Sequence, residues 1–235
     1  AVVALVTGCH PNLAPRTPAA SASSPSSAAG AAGGSARTPA APAGAEHVPT
    51  GTFDAATARA KLAELQVAVP GSPAGYVRDC GKGKGCVFGQ PWKDTDHDGC
   101  DQRSQVLARD LADVVKKPGR CSVTAGKLLD PYTGETLTVV SKIQIDHVVP
   151  LGEMWRSGAA SWPLERRVQA ANDLGNLLAV QGKANEQKGD KTPDKWLPPL
   201  SHCLYSRIYV TTKSHDQLTV TASEVAALKK ALSTC

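Results

Sequence analysis

The sequence predicts an α+β domain with a small antiparallel sheet, more helix than strand and a disulfide brace. Three observations carry that reading. Residues 13 to 50 are almost wholly Ala, Ser, Pro, Gly and Thr, too poor in bulky apolar side chains to offset the entropy of ordering a backbone, so the folded domain is expected in 51 to 235. Within that stretch several segments space their apolar residues as a helix does, while shorter runs read as strands. Six cysteines (Cys80, Cys86, Cys100, Cys121, Cys203 and Cys235) fall in the domain, an even set suited to three disulfides in an oxidising compartment.

Taken in order, Asp54 caps a helix from Ala55 to about Ala68, with Ala58, Leu62, Leu65 and Val67 as its apolar residues, and the Pro70-Gly71-Ser72-Pro73 cluster ends it. A loop-rich stretch from Tyr76 to Gly99 precedes a helix from about Arg103 to Lys117, where Val106, Leu107, Leu111 and Val114 share a face before Pro118-Gly119. Ser122 to Leu129, the turn Asp130-Pro131-Tyr132-Thr133-Gly134 and Glu135 to Val140 read as a hairpin. A short strand then delivers Ile143-Gln144-Ile145 to Asp146-His147. Helices over Leu151 to Ser157 and Leu164 to Asp173, a strand at Leu177 to Val180 and a polar helix start at Lys183 to Lys191 follow. Two helices close the chain, Cys203 to Lys213 and Ala222 to Ser233, the second opened by Ser223 and Glu224. With four Trp, four Tyr, two Phe and one Met, the core is built mainly from Leu, Val, Ile and Ala.

Residues 1 to 9 read as the end of an export signal, because the apolar AVVALVTG runs into Val6-Thr7-Gly8-Cys9, which fits a lipobox with Cys9 as the lipid attachment site. The plainer alternative is a chance match of four small residues. Residues 10 to 50 are then a tether, and the expected location is secreted, or lipid-anchored on the outer face of a bacterial membrane. No segment approaches the ~20 apolar residues of a membrane span. Fifteen pairings are open to six cysteines. Proximity favours Cys80–Cys86 and Cys100–Cys121, which leaves Cys203 for Cys235. Zinc is disfavoured because the chain has no CxxC pair. The net charge of +5 makes the chain mildly attractive to polyanions.

The chemistry is concentrated between Gln144 and Pro198, in DHVVPLGEMW, ANDLGNLLAV and KANEQKGDKTPDKWLP. Cutting a phosphodiester needs a base for water and a cation for the charge that develops in the transition state. Imidazole, carboxylate, amide and ammonium groups supply those parts here. Asp146 and Asn185 offer hard oxygens suited to Mg²⁺ or Mn²⁺, leaving His147 unliganded as the base. Neighbours on a strand point to opposite faces, so Asp146 and His147 share a site only if the strand ends there and turns, which Pro150 encourages.

DHVVP, the Asn nine residues before a second Asn, and NEQKGD together resemble the ββα-metal core of HNH endonucleases. PLGEMWRSGA and GDKTPDKWLP bring the chain closer to an exported bacterial HNH family resembling the C-terminal domain of GmrSD-type modification-dependent restriction enzymes. The resemblance extends over about 75 to 235, with its catalytic core at 140 to 200. It implies Asp146 and Asn185 as metal ligands, His147 as general base, and Lys188 as a catalytic and phosphate-binding residue. It also implies a middle Asn that holds the loop bearing the base through a backbone hydrogen bond. Asn176 matches that position, and Asn172 competes for it. Such enzymes leave 5′-phosphate and 3′-hydroxyl ends. This chain departs from minimal members by placing 28 residues between His147 and Asn176, room for a helical hairpin. Glu153 and Trp155, on the helix after the base, are read as packing residues.

Asp94-Thr95-Asp96-His97-Asp98-Gly99 reproduces the first six positions of a calcium loop, but Gln105 stands where a bidentate Glu is expected. An Asx-rich turn pinned by Cys100 is the competing reading, so Ca²⁺ at Asp94, Asp96 and Asp98 stays open. Arg103 is a further candidate for binding phosphate. The leading expectation is a monomeric DNA endonuclease with little sequence preference and no small-molecule cofactor, with RNA left open as a second substrate. Two alternatives from other classes are an inactive HNH-like scaffold that binds nucleic acid or a partner, and a calcium-stabilised cell-wall binding module.

Overall fold

A computed structural model describes residues 47–235, so Cys9, the export signal and most of the tether lie outside the described residues. The first helix, α1 (Ala55–Glu64), is opened by Asp54, whose carboxylate accepts from the Ala56 and Thr57 amides. It stops four residues before the expected Ala68, because Gln66 and Ala68 bond through their backbones to Val220. Helix α2 (Gln102–Asp110) is capped by Asp101 and buries Val106 and Leu107. The expected continuation to Lys117 is instead a strand, β1 (Ala112–Lys116). Its cause is pairing: β1 runs antiparallel to β2 (Val123–Leu129), which meets β3 (Thr136–Leu137) across the Asp130–Gly134 turn. The spacing of Val106, Leu107 and Leu111 suits a helix, but Asp113 takes φ +53° and the adjoining Val114-Val115 favours extended backbone. The third strand is shorter than the expected run to Val140, which ends in a 3₁₀ turn at Val140–Lys142.

Strand β4 (Ile143–His147) leads into α3 (Leu151–Arg156), a 3₁₀ turn and α4 (Leu164–Ala171). Together these fill the long connection before β5 (Leu177–Gln181). The two strands pair antiparallel in register from Ile143↔Gln181 to His147↔Leu177. Helix α5 (Gly182–Lys188) follows without a break, then α6 (His202–His215) and α7 (Ala222–Leu232). The last helix is opened by Thr221 rather than Ser223: Thr221 Oγ1 accepts from the Glu224 amide, and Glu224 accepts from the Thr221 amide at 2.7 Å.

The β4–β5 pair separates two apolar clusters. Ile143, Ile145, Leu177 and Ala179 pack with Val106, Leu107, Leu111 and Leu128. Leu178 and Val180 face a larger helical core containing Tyr205, Ile208, Tyr209 and Leu228. Among the described residues, the outer edge of β5 is closed by side chains rather than by a further strand. Asp110 accepts from the Ala179 amide at 2.8 Å and Asp130 from the Gln181 amide at 2.9 Å. The three disulfides join Cys80–Cys86, Cys100–Cys121 and Cys203–Cys235, the pairing that proximity favoured.

Candidate active site

Adjacent residues at the end of β4 do point apart, and the site is assembled around that division. Asp146 lies opposite Leu178 on the helical face and is 2% exposed. Its Oδ1 accepts from Lys188 Nζ at 2.8 Å and its Oδ2 from the Tyr132 hydroxyl at 2.5 Å. Burial raises the Asp146 carboxyl above the ordinary carboxylate range, while the ammonium and the hydroxyl oppose that rise. His147, opposite Leu177, turns to the other face, where its ring stacks against Trp92 with centroids 6.2 Å apart.

The protonation of that ring follows from one contact. His147 Nε2 lies 2.8 Å from the Ala171 carbonyl oxygen. A carbonyl only accepts, so Nε2 carries the hydrogen and Nδ1 keeps a lone pair. Loss of hydration pushes the imidazole down to about 4; the Ala171 bond opposes this, and the positive charges of Arg78 and Lys188 reinforce it. The ring is therefore neutral over the physiological range, as a general base must be.

β4 ends at His147, and the chain turns through buried Val148 and Val149 to Pro150, which opens α3. Asn176 holds this turn. Its Oδ1 accepts from the Val149 amide at 2.8 Å and its Nδ2 donates to the Val149 carbonyl at 3.0 Å, a two-point clasp that fixes the loop next to the imidazole. Asn172 has a different task, accepting from the Lys93 amide and donating to the Val168 carbonyl. The clasp on the loop is thus made by Asn176.

Asp146, His147 and Asn185 border one open cleft of about 260 Å³, together with Tyr76, Arg78 and Asp190. Asn185 donates from Nδ2 to Gln144 Oε1 at 2.9 Å. Its carbonyl oxygen makes no hydrogen bond among the described residues, and the Asp146 oxygens each retain lone-pair capacity. A carboxylate and a free amide carbonyl at one cleft form a donor set that fits a hard divalent cation. Lys188 is fully buried and also donates to the His147 carbonyl at 2.7 Å. Its ammonium contacts the site's own oxygens, not the solvent from which a phosphate would approach. Arg103 is placed away from the cleft too, donating to the Ile143 carbonyl at 3.0 Å, at the end of β4 remote from His147. Glu153 is paired with Lys213 inside the helical core at 2.7 Å, and Trp155 packs there with its Nε1 on the Ala74 carbonyl.

Several contributors escaped the sequence reading. Tyr132 looked like a turn residue, Trp92 and Arg78 sat in a stretch without periodicity, and the Ala171 carbonyl leaves no mark in a sequence. Arg78 is exposed at the cleft mouth and free to meet an anion.

Residues 101–234 match the model of the C-terminal domain of GmrSD restriction endonucleases, more than half of the chain. The chain belongs to this family. That makes it a nuclease-related domain of the restriction-enzyme type. An uncharacterized secreted protein of Arthroderma benhamiae is 41% identical over 191 residues, covering 80% of this chain and 89% of the relative. No solved structure matches. The family match contains the β4–α5 unit and both asparagines, whereas Arg78, Trp92 and the Asp94–Gly99 loop precede it.

Proposed function

We propose that the chain is a metal-dependent HNH-type endonuclease, secreted, with His147 as its general base and DNA as its substrate. The observation that carries this reading is the imidazole itself: it is neutral, has its tautomer set by the Ala171 carbonyl, and borders the cleft that also presents Asp146 and Asn185. An antiparallel strand pair followed at once by α5 supplies the β-β-α order that an HNH core uses. Three disulfides and a secreted relative support the location.

Asp146 and Asn185 would hold Mg²⁺ or Mn²⁺, which would supply positive charge to the phosphate and the departing oxygen. His147 Nδ1 takes the proton from the attacking water. Asn176 keeps the loop at the end of β4 in place, and Trp92 limits rotation of the ring. Arg78 attracts the phosphate, and Lys188 stabilises the carboxylate of Asp146 from behind. Lipid anchoring through Cys9 belongs to the same proposal and rests on the sequence alone.

The Lys188–Asp146 bond favours a second reading, a nucleic-acid-binding scaffold without activity, because the ammonium already balances the charge that would hold a metal. Full-length protein incubated with DNA in Mg²⁺, Mn²⁺ or chelator, read by both strand cleavage and gel shift, separates the two. Cleavage that chelator abolishes supports the enzyme, while a shift with no cleavage in either metal supports the scaffold.

A further inference from the structure

The loop from Lys93 to Asp101, between Trp92 and α2, carries side chains that the cleft does not use. One carboxylate oxygen from each of Asp94, Asp96 and Asp98 lies within 4.8 Å of the others. Two buried oxygens at this loop have no hydrogen-bond partner among the described residues, Asp94 Oδ1 and Gln102 Oε1. Gln102 is 1% exposed, and its carboxamide is turned onto the loop, with Nε2 3.1 Å from Thr95 Oγ1 and 3.2 Å from Asp96 Oδ1. Both orphans are acceptors. A third acceptor cannot satisfy them, whereas a cation can.

The spacing points to the same ligand. Asp94, Asp96 and Asp98 stand at the first, third and fifth positions of a calcium loop, and Gly99 takes the sharp turn at the sixth with φ +86°. Gln102 stands at the ninth, where such loops take a further ligand. Gln105, at the twelfth, is a neutral amide whose Nε2 lies 3.0 Å from both oxygens of Asp96.

The geometry points to a Ca²⁺ site in this loop, with Asp94, Asp96 and Asp98 as carboxylate ligands and Gln102 as a carbonyl ligand. Rotation of the Gln102 carboxamide exchanges Nε2 for Oε1 at the cluster, so no backbone need move. Three carboxylates without the bidentate Glu give the affinity of extracellular modules, about 10⁻⁴ to 10⁻³ M. Bound calcium would clamp a segment fixed by Cys100–Cys121 and the α2 cap at one end. At its other end that segment carries Trp92, which stacks on His147.

Calorimetric titration of the oxidised full-length protein with CaCl₂ and with MgCl₂, together with thermal unfolding in each, tests the site. At the loop, read as the metal binding that Asp98→Asn removes, one Ca²⁺ per chain is expected, with Mg²⁺ at least tenfold weaker, and Tm rising by at least ~3 °C in about 10 mM Ca²⁺. Asp98→Asn alters an exposed side chain and is expected to weaken Ca²⁺ at least tenfold, while Gln105→Glu supplies the missing carboxylate and is expected to strengthen it at least tenfold. Absence of both heat and a Tm rise, equal affinity of the loop for the two metals, or Ca²⁺ binding unchanged in both variants overturns the proposal. None of these readouts depends on strand cleavage, so they stand or fall apart from the nuclease reading.

Discussion

Asn176→Ala takes away both arms of the clasp on Val149 and leaves the Val149 amide and carbonyl buried with nothing to bond. Each buried group stranded in this way costs roughly 1–3 kcal/mol, so the pair comes to about 2–6 kcal/mol, with the middle of that range, ~4 kcal/mol, expected. Against a typical total stability of roughly 5–15 kcal/mol this is a large share. For a domain of this size it corresponds to a fall in Tm of about 8–16 °C. Amide hydrogen exchange adds a local readout, because the Val149 amide loses its acceptor directly. Asn172→Ala is the matched control: it frees the Lys93 amide instead and is expected to leave Val149 protected. If Asn176→Ala unfolds within a degree or two of wild type, or if Val149 protection is lost in the Asn172 variant and kept in the Asn176 variant, the assignment of the clasp is wrong.

The His147 ring titrates near 4 when folded and near 6.5 when unfolded. Between those values the unfolded chain holds a proton that the folded chain does not, so this contribution to stability is full above about pH 6.5 and is lost as pH falls through 4. The shift corresponds to at most ~3 kcal/mol, reduced to about 2 by the ring's partial exposure. Comparing wild type with His147→Asn in chelator from pH 7 to 4 should show the two stability curves converging by about that amount. Lys188→Met strands the buried Asp146 carboxylate and is expected to cost about 3–5 kcal/mol in urea unfolding; adding Asp146→Asn should recover most of it, and no recovery contradicts the pairing. Replacing Cys203 and Cys235 by Ser opens a loop with sequence separation 32, for an expected loss of ~3–4 kcal/mol by the same measurement.

What the sequence made legible depended on how local each signal was. Capping by Asp54, the apolar run at Leu177 to Val180 and the Asp130–Gly134 turn are written in neighbouring residues, and each is found where expected. The strand after Asp110 was missed because its cause, pairing with β2, lies outside the window in which Leu111 and Val114 look helical. The same limit governs the site. Asp146 and His147 stand out as a pair, but Tyr132 and Lys188 reach Asp146 across 14 and 42 residues of sequence. Lys188 illustrates the cost: the resemblance places it against the phosphate, and only the packing of α5 on β4 shows its ammonium turned inward. The choice between Asn172 and Asn176 was open for the same reason, since both are buried and only their partners differ.

Activation of water by a neutral His147 is the central step of the proposed phosphodiester cleavage. It is tested most directly by the rate at which full-length wild type and His147→Ala convert supercoiled plasmid to nicked circles in Mg²⁺ at pH 7.5. Wild type should nick, and the variant, folded with unchanged disulfides, should be slower by roughly 10²–10⁴-fold, the usual worth of a general base. A variant that nicks at the wild-type rate would contradict the claim.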